Sequence, residues 1–172
     1  MINFNTYRLN LKSLTPDDLG AFYEISTHPL FIKYVSKREF SLQQIKEILE
    51  KWKKEQEEGT AYYIGARVLG EEKLAGVVLL YPSANQDKAE HECSIYMGSE
   101  GKGYGTEALR GIFGHLRESG VSATIKLYVD SENENMMRVL SNIDARCVTA
   151  TDRRGNLWEY HIVAREIKGE ER

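Results

Sequence analysis

Three glycines stand at alternate positions in the run Gly101-Lys102-Gly103-Tyr104-Gly105-Thr106, and Glu107-Ala108-Leu109 carries on from it as a helix. With no side chains in the way, the backbone N–H groups of such a loop can close around an anion. A helix beginning near Thr106 adds its N-terminal donors and the positive end of its dipole. That is the chemistry of a seat for a pyrophosphate. A Walker loop does not fit, because it needs four residues between its first glycine and Gly-Lys-Ser/Thr. A dinucleotide fold asks for G-x-G-x-x-G after a first parallel strand. Here the spacing is G-x-G-x-G and four strands come first. A glycine-rich turn with no ligand is the plain alternative.

The loop is held by what precedes and follows it. Residues 90–97 alternate: Glu90, Glu92, Ser94 and Tyr96 share one strand face, and His91, Cys93, Ile95 and Met97 the other. Beyond the loop, Ala108, Leu109, Ile112, Phe113 and Leu116 recur at helical spacing. Near the start, Tyr7, Leu9 and Leu11 alternate with Arg8, Asn10 and Lys12, which predicts a strand over 7–14. Thr15-Pro16-Asp17-Asp18 is a helix start that sends Leu19, Phe22, Tyr23 and Ile25 inward. Ser41 caps a second helix carrying Ile45, Ile48, Leu49 and Trp52. Strands over 61–69 and 73–81 turn around Gly70-Glu71-Glu72. Ile125, Leu127 and Val129 form a strand, 135–141 a short helix, and 146–152 with 157–167 a closing hairpin around Arg154-Gly155-Asn156. The predicted order is βααβββαβαββ, an α/β (α+β) sandwich of helices on a mixed sheet.

The bulk properties narrow the field. A chain of 172 residues suits one domain, 1–168, with the charged tail 169–172 frayed. A formal charge of −3 lacks the basic excess of a nucleic-acid binder, so no nucleic-acid partner is expected. No stretch approaches the roughly 20 apolar residues of a membrane span, and Met1-Ile2-Asn3-Phe4-Asn5 does not read as a leader. Cys93 and Cys147 are read as reduced and buried, which fits a cytoplasmic protein. His28, His91, His115 and His161 show no ligand spacing, so no metal is expected. Trp52 and Trp158 are read as packing residues, and alternation is expected to bury one of Tyr62 and Tyr63 and expose the other.

The run from Gly101 through Leu109 resembles the acetyl-CoA signature of the GNAT acetyltransferase superfamily. It is most similar to the branch of ribosomal-protein N-terminal, polyamine and antibiotic acetyltransferases. Tyr7-Arg8-Leu9-Asn10-Leu11 resembles that branch's T-x-R-L-x-L strand, and Val129, Asn133 and Arg138-Val139-Leu140 resemble its V-x-x-x-N-x-x-S-x-R-V-L segment. The resemblance implies a centrally splayed mixed sheet with helices on both faces. It implies acetyl-CoA as co-substrate. The pantetheine arm would lie near Ile95, Tyr96 and Met97, the pyrophosphate on Gly101, Lys102, Gly103, Tyr104, Gly105 and Thr106, and Asn133 and Arg138 beside them. The acceptor would be a primary amine, on a protein N-terminus or a small molecule, attacking the thioester directly. Glu92, or else Glu90, would take the amine's proton. Sheet-edge dimers are common in such families, so a homodimer is an open expectation.

The chain departs from the family pattern at named positions. Glu100 stands beside the anion seat and should point to solvent, and the connection from 97 to 101 is about two residues short. Met136 replaces a serine, Leu140 stands where many members have the tyrosine general acid, and Asp144-Ala145 replaces a helix-ending Gly-Phe. Water, Tyr128 or Tyr160 is left as proton donor to the thiolate. Tyr34, Phe31 and Trp158 are expected to line the acceptor cleft. The departures keep a second reading open, a non-catalytic acyl-CoA-binding regulatory domain.

Overall fold

A computed structural model describes residues 1–82, 90–98, 101–119, 124–130, 132–143, 146–150 and 157–163. Residues 83–89, 99–100, 120–123, 131, 144–145, 151–156 and 164–172 lie outside the described residues, as do the side chains of Cys147, Trp158, Tyr160 and His161. The expectations placed on them therefore rest on sequence alone.

The first strand is shorter than the alternation suggested, and a further strand precedes it. β1 (Asn3–Asn5) pairs antiparallel with β2 (Leu9–Ser13). Tyr7 is not part of the ladder. Thr6 N–H donates to the Leu9 carbonyl at 2.8 Å and closes a turn that leaves Tyr7 84% exposed. Asp18 then accepts the Thr15 N–H at 2.9 Å, starting a 3₁₀ turn (Pro16–Asp18) that runs into α1 (Leu19–Ser26). α2 (Pro29–Phe31) continues as a π-helical turn, Ile32–Ser36, closed by Lys37 N–H on the Ile32 carbonyl at 2.9 Å. Periodicity alone does not reveal such a turn. Ser41 caps α3 (Leu42–Glu57) by accepting the Gln44 N–H at 3.2 Å.

β3 (Tyr62–Val68), β4 (Leu74–Pro82) and β5 (Glu90–Met97) form the antiparallel centre. α4 (Tyr104–Glu118) follows the glycine loop, β6 (Thr124–Asp130) runs parallel to β5, and α5 (Glu134–Asn142) leads to β7 (Arg146–Ala150) and β8 (Leu157–Val163). Among the described residues the eight strands form one mixed sheet, ordered β1-β2-β3-β4-β5-β6-β8-β7. β5 and β6 are its parallel pair.

Both faces are covered, as the α/β reading requires. On one face Leu11, Ile64, Leu80, Leu109, Ile112 and Phe113 pack fully buried under α4. On the other, Leu14, Phe22, Ile45, Leu49 and Val77 do so under α1 and α3. This corrects the expectation for Tyr62 and Tyr63. Tyr63 is buried and stacks on Trp52 at 4.2 Å, while Tyr62 packs into the opposite core rather than facing solvent. A strand flanked by helices on both sides has no exposed face.

Candidate active site

The β5–β6 ladder runs from Glu90↔Thr124 to Cys93↔Leu127 and goes no further. β5 continues through 94–97, still paired with β4, and β6 continues through 128–130, still paired with β8. The two strands therefore part at their C-terminal ends while each stays anchored on its outer side. A small cavity of about 30 Å³ lies in the fork, lined by Ser94, Ile95, Leu127, Tyr128, Val129 and their neighbours. It adjoins a larger cleft of about 610 Å³.

That larger cleft gathers most of the residues singled out by the sequence. Ile95, Tyr96, Met97, Gly101, Gly103, Tyr104, Gly105, Thr106, Asn133 and Arg138 all line it. Lys102 does not: its carbonyl is turned to Arg8, and its ammonium lies 5.9 Å from the Tyr104 ring on the surface. Tyr34 and Leu30 form the opposite wall, on the π-helical turn and α2. Phe31 is instead buried against Tyr96 and Phe22 and belongs to the core.

α4 begins earlier than near Thr106. Gly103 is its N-cap, with φ 77°, a left-handed conformation that other residues adopt at a cost. Gly101 has φ 76°. Gly105 thus sits in the first turn, where a Cβ would come within 3.2 Å of a Val139 methyl. Its missing side chain lets α4 approach α5. The first N–H groups of α4 lack intrahelical acceptors, and Gly103, Tyr104, Gly105 and Thr106 all border the cleft. At the start of α5, Asn133 Oδ1 accepts the Met136 N–H at 3.1 Å. Met136 and Val139 face the cleft, whereas Leu140 is 1% exposed and buried in the core.

Glu90 and Glu92 lie deeper along β5, on the face shared with Tyr81. Lys126 Nζ is 2.9 Å from Glu90 Oε2, and both side chains are largely buried. Glu92 pairs in register with Lys126 on β6 and with Tyr81 on β4. Tyr81 and Ser94 share a hydrogen bond of 3.2 Å on the same face. Burial, with the nearby Glu92 and Cys93, keeps the Tyr81 phenol above its ordinary pKa against the opposing Ser94 hydrogen bond. Tyr128 is 47% exposed at the fork.

Leu30 on the cleft wall and Glu107 beside the glycine loop carry no role in the sequence pattern. Glu107 is 6% exposed, in the first turn of α4. Its Oε1 accepts the Thr6 hydroxyl and the Arg8 N–H, each at 2.6 Å, and its Oε2 accepts Arg8 Nε at 2.7 Å. Burial works to raise its pKa, but these bonds and the Arg8 charge outweigh it and hold the carboxyl below its ordinary value. The signal was present: Glu107 falls on the same helical stripe as Ala108, Gly111 and Ile112, where a charge needs a partner. Among the described residues no group of His, Cys, Asp and Glu is arranged to hold a metal ion. No helix there is long and apolar enough to cross a membrane.

Comparison with known proteins gives this geometry a context. A family model described as an acetyltransferase (GNAT) domain matches residues 8–146. The chain superposes on a ribosomal-protein-S5-alanine acetyltransferase from Vibrio fischeri with a TM-score of 0.79 at 15% identity, covering 98% of this chain and 100% of that one. A spermidine N-acetyltransferase from Vibrio cholerae, in complex with CoA and spermine, gives 0.76 at 15% identity over 92% and 97%. An acetyltransferase of the GNAT family from Bacillus anthracis gives 0.76 at 18% over 96% and 100%. At these identities the likeness is one of fold. No curated protein matches in sequence.

Proposed function

The chain belongs to the GNAT acetyltransferase family, and on that premise we propose that it transfers the acetyl group of acetyl-CoA to a primary amine by direct attack. The observation that carries this reading is the fork between β5 and β6 opening beside the capped start of α4. The cleft fits the co-substrate in chemistry: parted strand edges suit an extended amide chain, and a glycine-capped helix start suits a pyrophosphate. Ile95, Tyr96 and Met97 would hold the pantetheine arm. The loop 101–106 would hold the phosphates, with Asn133 and Arg138 alongside. Acetyl-CoA supplies an activated acyl carbonyl, so the chain needs no nucleophile of its own.

The chain's task is then to hold the two reactants together and manage protons. A lysine-like amine has a reference pKa of about 10.4 and an α-amine about 7.7–8.0, so either arrives largely or partly protonated. Glu92 takes that proton, directly or through water. A backbone N–H of β5 stabilises the oxyanion, and Tyr128, at the fork, returns a proton to the thiolate. The acceptor is a protein N-terminus or a small amine, entering past Tyr34 and Leu30. Proteins of similar fold act on a ribosomal protein and on spermidine, which supports an amine acceptor of one of these kinds.

Thiol release from acetyl-CoA, measured against peptides, polyamines and amino sugars, tests the proposal. Turnover with one of these classes is expected. Tight coenzyme A binding with no turnover across the panel points instead to a binding domain.

A further inference from the structure

We infer that Arg8 and Glu107 are positioning residues that aim the Gly103 N–H into the cleft, an inference that rests on reading the loop 101–106 as the cofactor seat. Arg8 reaches three consecutive loop residues. Its Nη1 donates to the Lys102 carbonyl at 2.9 Å, its Nη2 would lie 3.4 Å from a Cβ on Gly103, and its guanidinium stands 4.9 Å from the Tyr104 ring centroid. Glu107 fixes the guanidinium through Nε at 2.7 Å and also takes the Arg8 backbone N–H at 2.6 Å. Neither end of the residue is left to swing.

The consequence follows from peptide geometry. In a trans peptide the carbonyl of one residue and the N–H of the next point in opposite directions. Holding the Lys102 carbonyl toward Arg8 therefore turns the Gly103 N–H away from Arg8. Gly103 lines the cleft and Arg8 does not. Left-handed glycine has no steric preference that would hold this orientation by itself. The charge pattern points the same way. An unpaired carboxylate one turn into α4 would repel an anion at the helix start, and the Arg8 guanidinium neutralises it at contact distance. Arg8 thus acts on the ligand through the loop.

Calorimetric titration of coenzyme A separates this role from simple support of the fold. Arg8→Lys keeps the charge and the fold, but a compact ammonium cannot serve Glu107 and the Lys102 carbonyl together. The expected result is a Kd about tenfold higher for both Arg8→Lys and Glu107→Gln. The KM for acetyl-CoA should rise with it, and kcat at saturation should stay within about twofold. Asp18→Asn is the control. It breaks the Arg67–Asp18 ion pair, neither partner of which lines the cleft, and should lower the melting temperature without changing the Kd. Wild-type affinity in both Arg8→Lys and Glu107→Gln overturns the inference and leaves the cofactor seat standing. So does a fall in kcat with KM unchanged. Failure of the wild-type chain to bind coenzyme A overturns the cofactor seat itself, and the inference with it.

Discussion

Lys126 stands between the two glutamates of β5: it is in register with Glu92 and ion-paired to Glu90 at 2.9 Å. The side chains of Lys126 and Glu90 are 18% and 11% exposed, so the pair is largely shielded from water. A carboxylate held by a buried cation is a poor base, because accepting a proton breaks the pair. Glu92 shares the face without that ion pair.

The two glutamates should therefore respond differently to loss of charge. Glu92→Gln is expected to lower kcat by about 10²- to 10⁴-fold, with coenzyme A affinity intact. Glu90→Gln should act on stability, costing roughly 3 kcal/mol in urea unfolding by removing the charge that Lys126 pairs with in a largely buried setting. The reverse pattern, with Glu90→Gln inactive but stable and Glu92→Gln active, would move the base to Glu90.

Gly105 is the point where α4 meets α5. A Cβ there would come within 3.2 Å of Val139, on the helix that also carries Arg138. Gly105→Val should cost about 1–3 kcal/mol through overpacking and weaken coenzyme A binding by displacing one wall of the cleft. Unchanged affinity would mean that α5 can shift without disturbing the site.

Glu107 gives stability a pH dependence of defined sign. Its folded pKa lies below the ordinary value of 4.5, so the folded state resists protonation more than the unfolded chain does. Its contribution is full above 4.5 and is lost as pH falls through the folded value. Thermal unfolding followed from about pH 6 to about pH 3 should show this loss in the wild-type chain. Glu107→Gln should lack that part of the slope. Parallel profiles for the two chains would contradict the assignment.

Cys93 lies at the last β5–β6 pair and is buried, and burial pushes its thiol far above the ordinary cysteine range. In a Cys147→Ser background, native protein should resist alkylation at neutral pH and become labelled only after unfolding. Rapid labelling of the native chain would show that the fork opens to solvent.

What the sequence disclosed was local. The alternation over 90–97 placed β5 correctly, and the run after Gly105 marked the buried face of α4, because both signals lie within a few residues. The centrally splayed sheet came through resemblance, since no periodicity says where a parallel ladder ends. Tyr7 was misplaced because its strand is interrupted by tertiary contacts: Thr6 and Arg8 are drawn to Glu107, about a hundred residues on. The π-helical turn that brings Tyr34 to the cleft is a backbone hydrogen-bond arrangement, closed by Lys37 on Ile32, and leaves no pattern of apolar residues. Motif membership does not say which way a side chain points, and the Lys102 side chain lies outside the cleft lining.

The most direct test is a crystal structure of the chain with coenzyme A. The pyrophosphate is predicted on the N–H groups of 101–106, the pantetheine arm in the fork beside Ile95, Tyr96 and Met97, and the thiol on the side of Glu92 and Tyr128. Coenzyme A bound away from the fork, or with its thiol turned away from Glu92, would contradict the account.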